Sequence, residues 1–223
     1  MKPLGFLIGR EDSLKSFGMS LEPLYSILSL ILFLAFNATS IMMLGLKVTC
    51  SSELVNSSVR GFLEIKSYLS LYSWLIIFLS WLLSSIIFLR LAPSKLSMRK
   101  RKYFYVLSSC SSVYAISGGI NTFLLAVLPG RIVSCEGGNW RDLLLMFFSE
   151  TLDHFSAFPN ILVPAIAIAS VTWFTYLLFR IHRISFGLSI SDSLFFSLGF
   201  TFVFLFLSII LIGLASLIIL SLP

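Results

Sequence analysis

Long apolar runs separated by short charged loops dominate the chain. Five such runs lack strongly ionisable side chains, apart from His154 at the edge of the fourth. At a rise of about 1.5 Å per residue, about 20 residues cross a hydrocarbon core of about 30 Å. The pattern therefore predicts an all-α, polytopic transmembrane bundle within residues 23–223, with spans at about 24–46, 68–89, 103–128, 155–179 and 193–222.

Two further segments are amphipathic and too charged to span a membrane. Within residues 1–22, Leu14, Phe17 and Leu21 fall on one helical face and the charged residues lie elsewhere. This spacing is typical of a helix lying in the membrane interface. Residues 140–158 also mix apolar and charged positions, which predicts a lid, an interfacial helix or a re-entrant segment.

Composition and charge set the class of protein and its orientation. The chain is 57% hydrophobic and only 12% charged, whereas a soluble domain is about a quarter charged. In a membrane protein the net charge of +6 matters through its distribution, so no nucleic-acid partner is predicted. Placing the N-terminus inside and the C-terminus outside puts 11 of the 16 Lys and Arg residues on the inner side.

The loop before the third span carries most of this basic bias. Its residues can attract anionic lipid headgroups or an acidic protein partner. The predicted lipid-binding or partner-binding set is Lys95, Arg99, Lys100, Arg101 and Lys102.

Three cysteines are spaced too widely for a zinc or iron–sulfur motif. Cys50 follows span one and Cys135 follows span three, so both are predicted on the outer face, where a disulfide between them can form. The alternative is two unpaired loop residues. Cys110 lies inside span three and is interpreted as a packing residue.

No motif for an enzyme or a cofactor is present, so neither catalytic residues nor a cofactor or metal site is predicted. Glu150, Asp153 and His154 share a helical face, which suits either cation or proton handling or a solvated surface. His182 is interpreted as part of a basic inner loop with Arg180 and Arg183 rather than as a catalytic base.

Small and polar residues inside the spans suggest how the helices pack. Stripes of small side chains let helix backbones approach closely. Asn37, Asn121 and Pro164 are polar or kinking exceptions, interpreted as packing or hinge positions. The predicted packing stripe in span three is Ser108, Ser112, Ala115 and Gly119.

The order of these features resembles the Yip family, the Ypt-interacting-protein domain of five-span membrane proteins. The segments that carry the resemblance are SKLSMRKRKYF, SSVYAISGGINTFLLAVLPG and WFTYLLFRIHRISFGLSISDSLFFSLGF. The acidic-aromatic DLYGP-like tract of eukaryotic members is absent, and the outer loop at 131–157 is longer, so the resemblance does not extend to small-GTPase binding. It implies a non-enzymatic membrane scaffold, membrane-shaping or trafficking protein.

Three functional hypotheses follow. The first is an integral scaffold or interaction protein of the cell membrane, contacting membrane lipids and either a protein partner or further copies of itself. The alternative is a transporter or channel subunit of a multicomponent system, with Asn37, Asn121, Pro164 and Glu150 lining or gating a path. The third is a membrane-embedded enzyme that uses Glu150, Asp153 and His154 on a lipid.

Overall fold

The computed structural model describes residues 7–9, 11–14, 23–51, 57–91, 100–134 and 140–221. Helices account for nearly all of this part of the chain. The elements are α1 (Pro23–Lys47), β1 (Val48–Ser51), α2 (Ser57–Leu91), α3 (Lys100–Cys110), α4 (Ser112–Val127), β2 (Arg131–Ser134), α5 (Trp140–Ser156), α6 (Leu162–Ile184) and α7 (Ile190–Ser221).

Five stretches of helix are long and apolar enough to cross a membrane. The predicted all-α, multi-pass membrane fold is therefore confirmed, with α3 and α4 together forming the third span. The stretches are Leu24–Leu44, Tyr72–Leu91, Tyr103–Val127, Leu162–Ile184 and Ile190–Ala215.

The fourth span starts seven residues later than the sequence predicted. Phe155 belongs to α5, and α6 begins only at Leu162. Pro159 offers no backbone N–H to continue a helix, and the Asn160 side chain donates to the backbone oxygen of His154 at 3.1 Å. These residues separate α5 from α6, and the apolar run alone did not mark that boundary.

The helices alternate in direction, so their ends fall on two faces of the bundle. One face carries β1, β2 and α5 and is called the sheet face. The opposite face carries the end of α2 at Arg90 and Leu91 and the end of α6 at Ile184, and is called the Arg90 face. Both α1 and α4 run toward the sheet face, which is why the strands that follow them pair in parallel, with Cys50 opposite Val133.

The core of the bundle is a continuous cluster of apolar and aromatic side chains. Helix α1 packs mainly on α4 and also on α2 and α3, while α7 packs on α2 and α6. Tyr114 stands at the centre, with its ring 4.7 Å from Phe174 and 5.7 Å from Phe33, measured between ring centroids. Phe174 in turn lies 6.0 Å from Phe200 of α7, so aromatic contacts join four helices.

Helices α3 and α4 meet at Ser111, inside the third span. The backbone ladder continues through this junction, since the Ser111 N–H donates to Leu107 O and the Ala115 N–H donates to Ser111 O. The hydroxyls of Ser111 and Ser112 also donate to backbone oxygens of the preceding turn, at 3.1 and 2.6 Å. The two helices therefore form one continuous hydrogen-bonded span.

The described part of the N-terminal segment lies alongside α6. Three side chains of α6 and its following turn donate to its backbone oxygens: Trp173 to Leu7 at 2.9 Å, Arg180 to Gly9 at 3.3 Å and Ser185 to Leu14 at 2.9 Å. Residues 173 to 185 cover about 18 Å of helix, so residues 7–9 and 11–14 run along the end of this span. The side chains of α6 and its following turn thereby satisfy backbone oxygens of this segment.

Candidate functional site

Polar side chains join α1 to both helices of the third span, and this contact surface is called the seam. Ser26 and Ser109 share a hydrogen bond of 2.8 Å between their hydroxyl oxygens. The Asn37 amide donates to its own helix at Phe33 O, 2.8 Å away, and across the seam to Tyr114 O at 3.0 Å. Ser26, Ser109 and the Asn37 amide are thus bonded within the protein, as polar groups between membrane helices require.

Gly118 sets the distance between α1 and α4. A Cβ added at Gly118 would lie 3.0 Å from Asn37 Nδ2 and 3.1 Å from the Asn37 backbone nitrogen, whereas one at Gly119 would meet only the Phe36 ring at 3.8 Å. The close approach is thus at Gly118, which the predicted stripe did not include. Of the stripe itself, Gly119 is half-buried, and the buried members are Ser108, Ser112 and Ala115.

A second polar cluster joins α3, α6 and α7 near the Arg90 face. His182 is fully buried, with Nε2 3.0 Å from Tyr103 Oη and Nδ1 2.9 Å from Ser197 Oγ. The Ser197 hydroxyl already donates to Ser193 O at 2.7 Å, so it accepts from His182 Nδ1–H. This assigns the tautomer: Nε2 has no proton and accepts from Tyr103.

The interpretation of His182 as part of a basic loop was therefore wrong. The residue continues the buried face of α6, after Phe174, Leu177, Leu178 and Ile181 at helical spacing. That spacing was a sequence signal for burial, although it did not reveal Tyr103 or Ser197 as partners. With both ring nitrogens engaged and the ring buried, the cluster holds three helices together.

Two buried polar atoms near the α4 seam have no hydrogen-bond partner in the described part of the chain. They are the hydroxyl of Tyr114 and the amide oxygen of Asn121. Asn121 is 7% exposed, so its oxygen is withdrawn from both lipid and bulk water. Pro164, the other predicted exception, lies in the first turn of α6, where proline is compatible with a straight helix.

Glu150, Asp153 and His154 of α5 have different surroundings. Glu150 Oε2 lies 2.8 Å from Arg131 Nη2 of β2, and His154 is buried next to Asn160, while Asp153 is exposed. Burial lowers the pKa of His154 from its ordinary 6.5, as do the positive charges of Arg131 and, less strongly, Lys47, while a hydrogen bond to the Pro129 backbone acts in the opposite direction. Among the described residues, no three His, Cys, Asp or Glu side chains lie close enough to hold a metal ion.

The strand that holds Cys50, β1, pairs with β2, which ends at Ser134, beside packed α1 and α4. Cys50 lies in β1, but Cys135 lies outside the described residues, so the bond stays a prediction. Cys110 is a buried free thiol, as expected of a packing residue. Of the basic loop, Lys95 and Arg99 lie outside the described residues, and the basic run Lys100–Lys102 forms the first turn of α3.

These contacts define an integral, multi-pass helical membrane protein. The chain matches no protein-family model, no curated protein and no solved structure.

Proposed function

We propose that the protein is a non-enzymatic scaffold or interaction protein of the Yip type, located in the cell membrane with its N-terminus inside. Its five-helix bundle presents the basic run before span three to anionic headgroups or to an acidic partner. The Arg90 face is then the inner face, and the sheet face lies outside.

The observation that carries this proposal is that many polar side chains of the spans form hydrogen bonds within the bundle. The hydroxyls of Ser80, Ser84 and Ser85 in α2 donate to backbone oxygens one turn earlier, at 2.7 to 2.8 Å. The Asn37 amide and the His182 ring are likewise bonded within the protein. Side chains that line a transport path face water instead, so this arrangement favours a structural role.

The basic run supplies the means of contact with a membrane surface. Each Lys or Arg near an anionic leaflet contributes about 1 kcal/mol at low ionic strength, so Lys100–Lys102 form a substantial anchor together with Lys95 and Arg99. This contribution is electrostatic and falls as salt rises.

Native purification from the membrane tests the proposal. The scaffold should be recovered with a stoichiometric protein partner or as a homo-oligomer, and Arg101→Gln/Lys102→Gln should weaken that association. Arg60→Gln/Lys66→Gln is the matched control. It removes the same amount of charge near the start of α2, whereas the basic run follows the end of that helix. Recovery of a monomer without partners, or equal effects of the two variants, would contradict the proposal.

The unpartnered oxygens of Tyr114 and Asn121 favour a second candidate, a transporter or channel subunit. Buried polar atoms without protein partners are suited to water or to a passing solute. The two candidates differ in the reactivity of Asn121→Cys toward a water-soluble thiol reagent in a background without native cysteines. Rapid labelling supports a path, whereas protection supports the scaffold.

A further inference from the structure

A cleft of about 380 Å³ opens at the Arg90 face beside the end of α6. It is lined by two arginines, one acid and two apolar side chains: Arg180, Arg183, Glu11, Phe179 and Ile184. Residues 11–14 are held there by the hydrogen bond from Ser185 Oγ to Leu14 O. The cleft lies at the end of a span, with Arg180 about one turn inside it.

Arg180 lines this cleft and has a buried hydrogen-bond donor without a partner among the described residues. Its Nη2 donates to Gly9 O at 3.3 Å, while its Nε is buried and has no partner among the described residues. A guanidinium donor that is buried and unpaired costs free energy, and an anionic oxygen is the partner that best satisfies it. Arg183 is exposed one turn further along α6 and adds a second, solvent-facing guanidinium.

The balance of charge fits a singly charged anion. Two arginines and Glu11 leave the lining with a formal charge of +1, which a phosphodiester of charge −1 matches. Of the other described ionisable groups nearby, Asp12 is exposed and does not line the cleft. His182 points into the bundle toward Tyr103 and Ser197, and Asp192 at the start of α7 accepts from Ser189.

The apolar part of the lining and its depth indicate the source of the phosphate. Arginine side chains near the end of a span reach the headgroup region of the bilayer, where lipid phosphates lie. Phe179 and Ile184 offer an apolar wall that suits the glycerol and upper acyl carbons of a lipid, and that a free phosphate ion does not need.

We propose that this cleft binds the phosphodiester group of a single membrane phospholipid through Arg180 and Arg183. The bound lipid connects the N-terminal segment with α6. This site is separate from the basic run before span three, and its occupancy does not depend on the proposed scaffold function.

Native mass spectrometry of the purified full chain in mild detergent tests the proposal. We expect one tightly retained phospholipid in the wild type and a roughly ten-fold lower retained fraction in Arg183→Gln, as loss of a charge-assisted hydrogen bond implies. Arg90→Gln is the matched control, since Arg90 is an exposed arginine on the same face outside the cleft. Arg101→Gln/Lys102→Gln should also retain the lipid, which separates this site from the basic run.

A conservative variant covers the case in which Arg183→Gln does not fold. Arg183→Lys keeps the charge but loses the planar fork, so retention should fall while the protein stays folded. Full retention in both Arg183 variants, or no retained lipid in the wild type, would overturn the proposal.

A second arm separates the possible sources of the phosphate. Delipidated protein is mixed either with inorganic phosphate or with phosphatidylcholine vesicles, and its melting temperature is followed. Stabilisation by the vesicles alone, lost in Arg183→Gln, is the expected result. Equal stabilisation by inorganic phosphate would instead assign the cleft to a free anion. Equal stabilisation by diacylglycerol, which has no phosphate, would show that only the apolar part of the lipid binds. Either of these results would overturn the lipid assignment.

Discussion

At the scale of single residues, small side chains set the distances between helices. Gly118 sits where the backbones of α1 and α4 come closest, and Gly199 of α7 leaves room for the ring of Phe88, which an added Cβ would meet at 2.9 Å. The sequence predicted a small-residue face on span three but placed its glycine at position 119. Two adjacent glycines fit the same stripe, and only the packing with Asn37 distinguishes them.

Gly118→Ala should destabilise the bundle, because the new Cβ would lie about 3 Å from backbone atoms of α1 that cannot move independently. Overpacking of this kind costs about 1–3 kcal/mol. Gly119→Ala is the control, since its Cβ would meet the Phe36 ring at an ordinary 3.8 Å. Thermal unfolding in detergent should show a clear drop in melting temperature only for Gly118→Ala. A larger drop in melting temperature for Gly119→Ala would show that the close contact lies at Gly119 and not at Gly118.

The stability of the sheet face should depend on pH through His154. Its pKa is lowered in the folded protein, so the folded state binds a proton less readily than the unfolded state, whose pKa stays near 6.5. The stabilising contribution is therefore complete above about pH 6.5 and is lost as the pH falls through the lower folded-state value.

Melting temperature measured as a function of pH checks this behaviour. The wild type should lose more stability than His154→Gln on acidification below about pH 6.5. Asp153→Asn is a neighbouring control, since Asp153 is exposed and its substitution should leave the histidine step intact. Parallel curves for the wild type and His154→Gln would exclude His154 as the group responsible.

At the scale of elements, the existence of the helices could be predicted but several of their ends could not. Uninterrupted apolar residues suffice to indicate a span, because a bilayer penalises charge at every position. The boundary between α5 and α6 depends on Pro159 and on the hydrogen bond from Asn160 to His154 O. The mean hydropathy of the segment does not reveal either of these features. The position of residues 7–9 along α6 likewise depends on hydrogen bonds from Trp173 and Arg180.

Tyr103→Phe tests whether the buried histidine cluster holds α3 and α6 together. The change removes the donor to His182 Nε2 and should lower stability by about 1 kcal/mol, the usual size of an interhelical hydrogen bond in a membrane. Tyr72→Phe is the control, because Tyr72 is 48% exposed.

The cluster should also behave as a unit in a double-mutant cycle. Adding Ser197→Ala to Tyr103→Phe should cost less than the sum of the single changes, because both residues bond the same imidazole ring. Strict additivity, or equal stabilities of Tyr103→Phe and Tyr72→Phe, would argue against a connected network.

At the scale of the whole molecule, the sequence predicts which face of the bundle is inside more directly than it predicts which helices are neighbours. Orientation follows from the distribution of Lys and Arg in short loops. The packing of α1 on α4 arises from Gly118, the Asn37 amide and the pairing of β1 with β2, which lie far apart in the sequence. The same packing makes the first and third spans neighbours, which the predicted Cys50–Cys135 bond requires, and the bond itself stays a prediction.

The last prediction is the orientation itself, and two exposed residues on opposite faces report it. In a background with the native cysteines replaced, Arg90→Cys lies at the end of α2 on the Arg90 face, and Ile132→Cys lies in β2 on the sheet face. Ile132 is 71% exposed and Arg90 is also exposed, so both thiols should be reactive once a reagent reaches their side of the membrane. With the N-terminus inside, an impermeant maleimide should label only Ile132→Cys in intact cells, and both variants after permeabilisation. Labelling of Arg90→Cys alone in intact cells would show the opposite orientation. Labelling of both variants in intact cells would contradict a bundle whose two faces lie on opposite sides of the membrane.

Neutralising Arg99 to Lys102 should produce proteins inserted in both orientations, because the loop then keeps only 2 of its 6 basic residues and the excess of basic residues on the inner side nearly disappears.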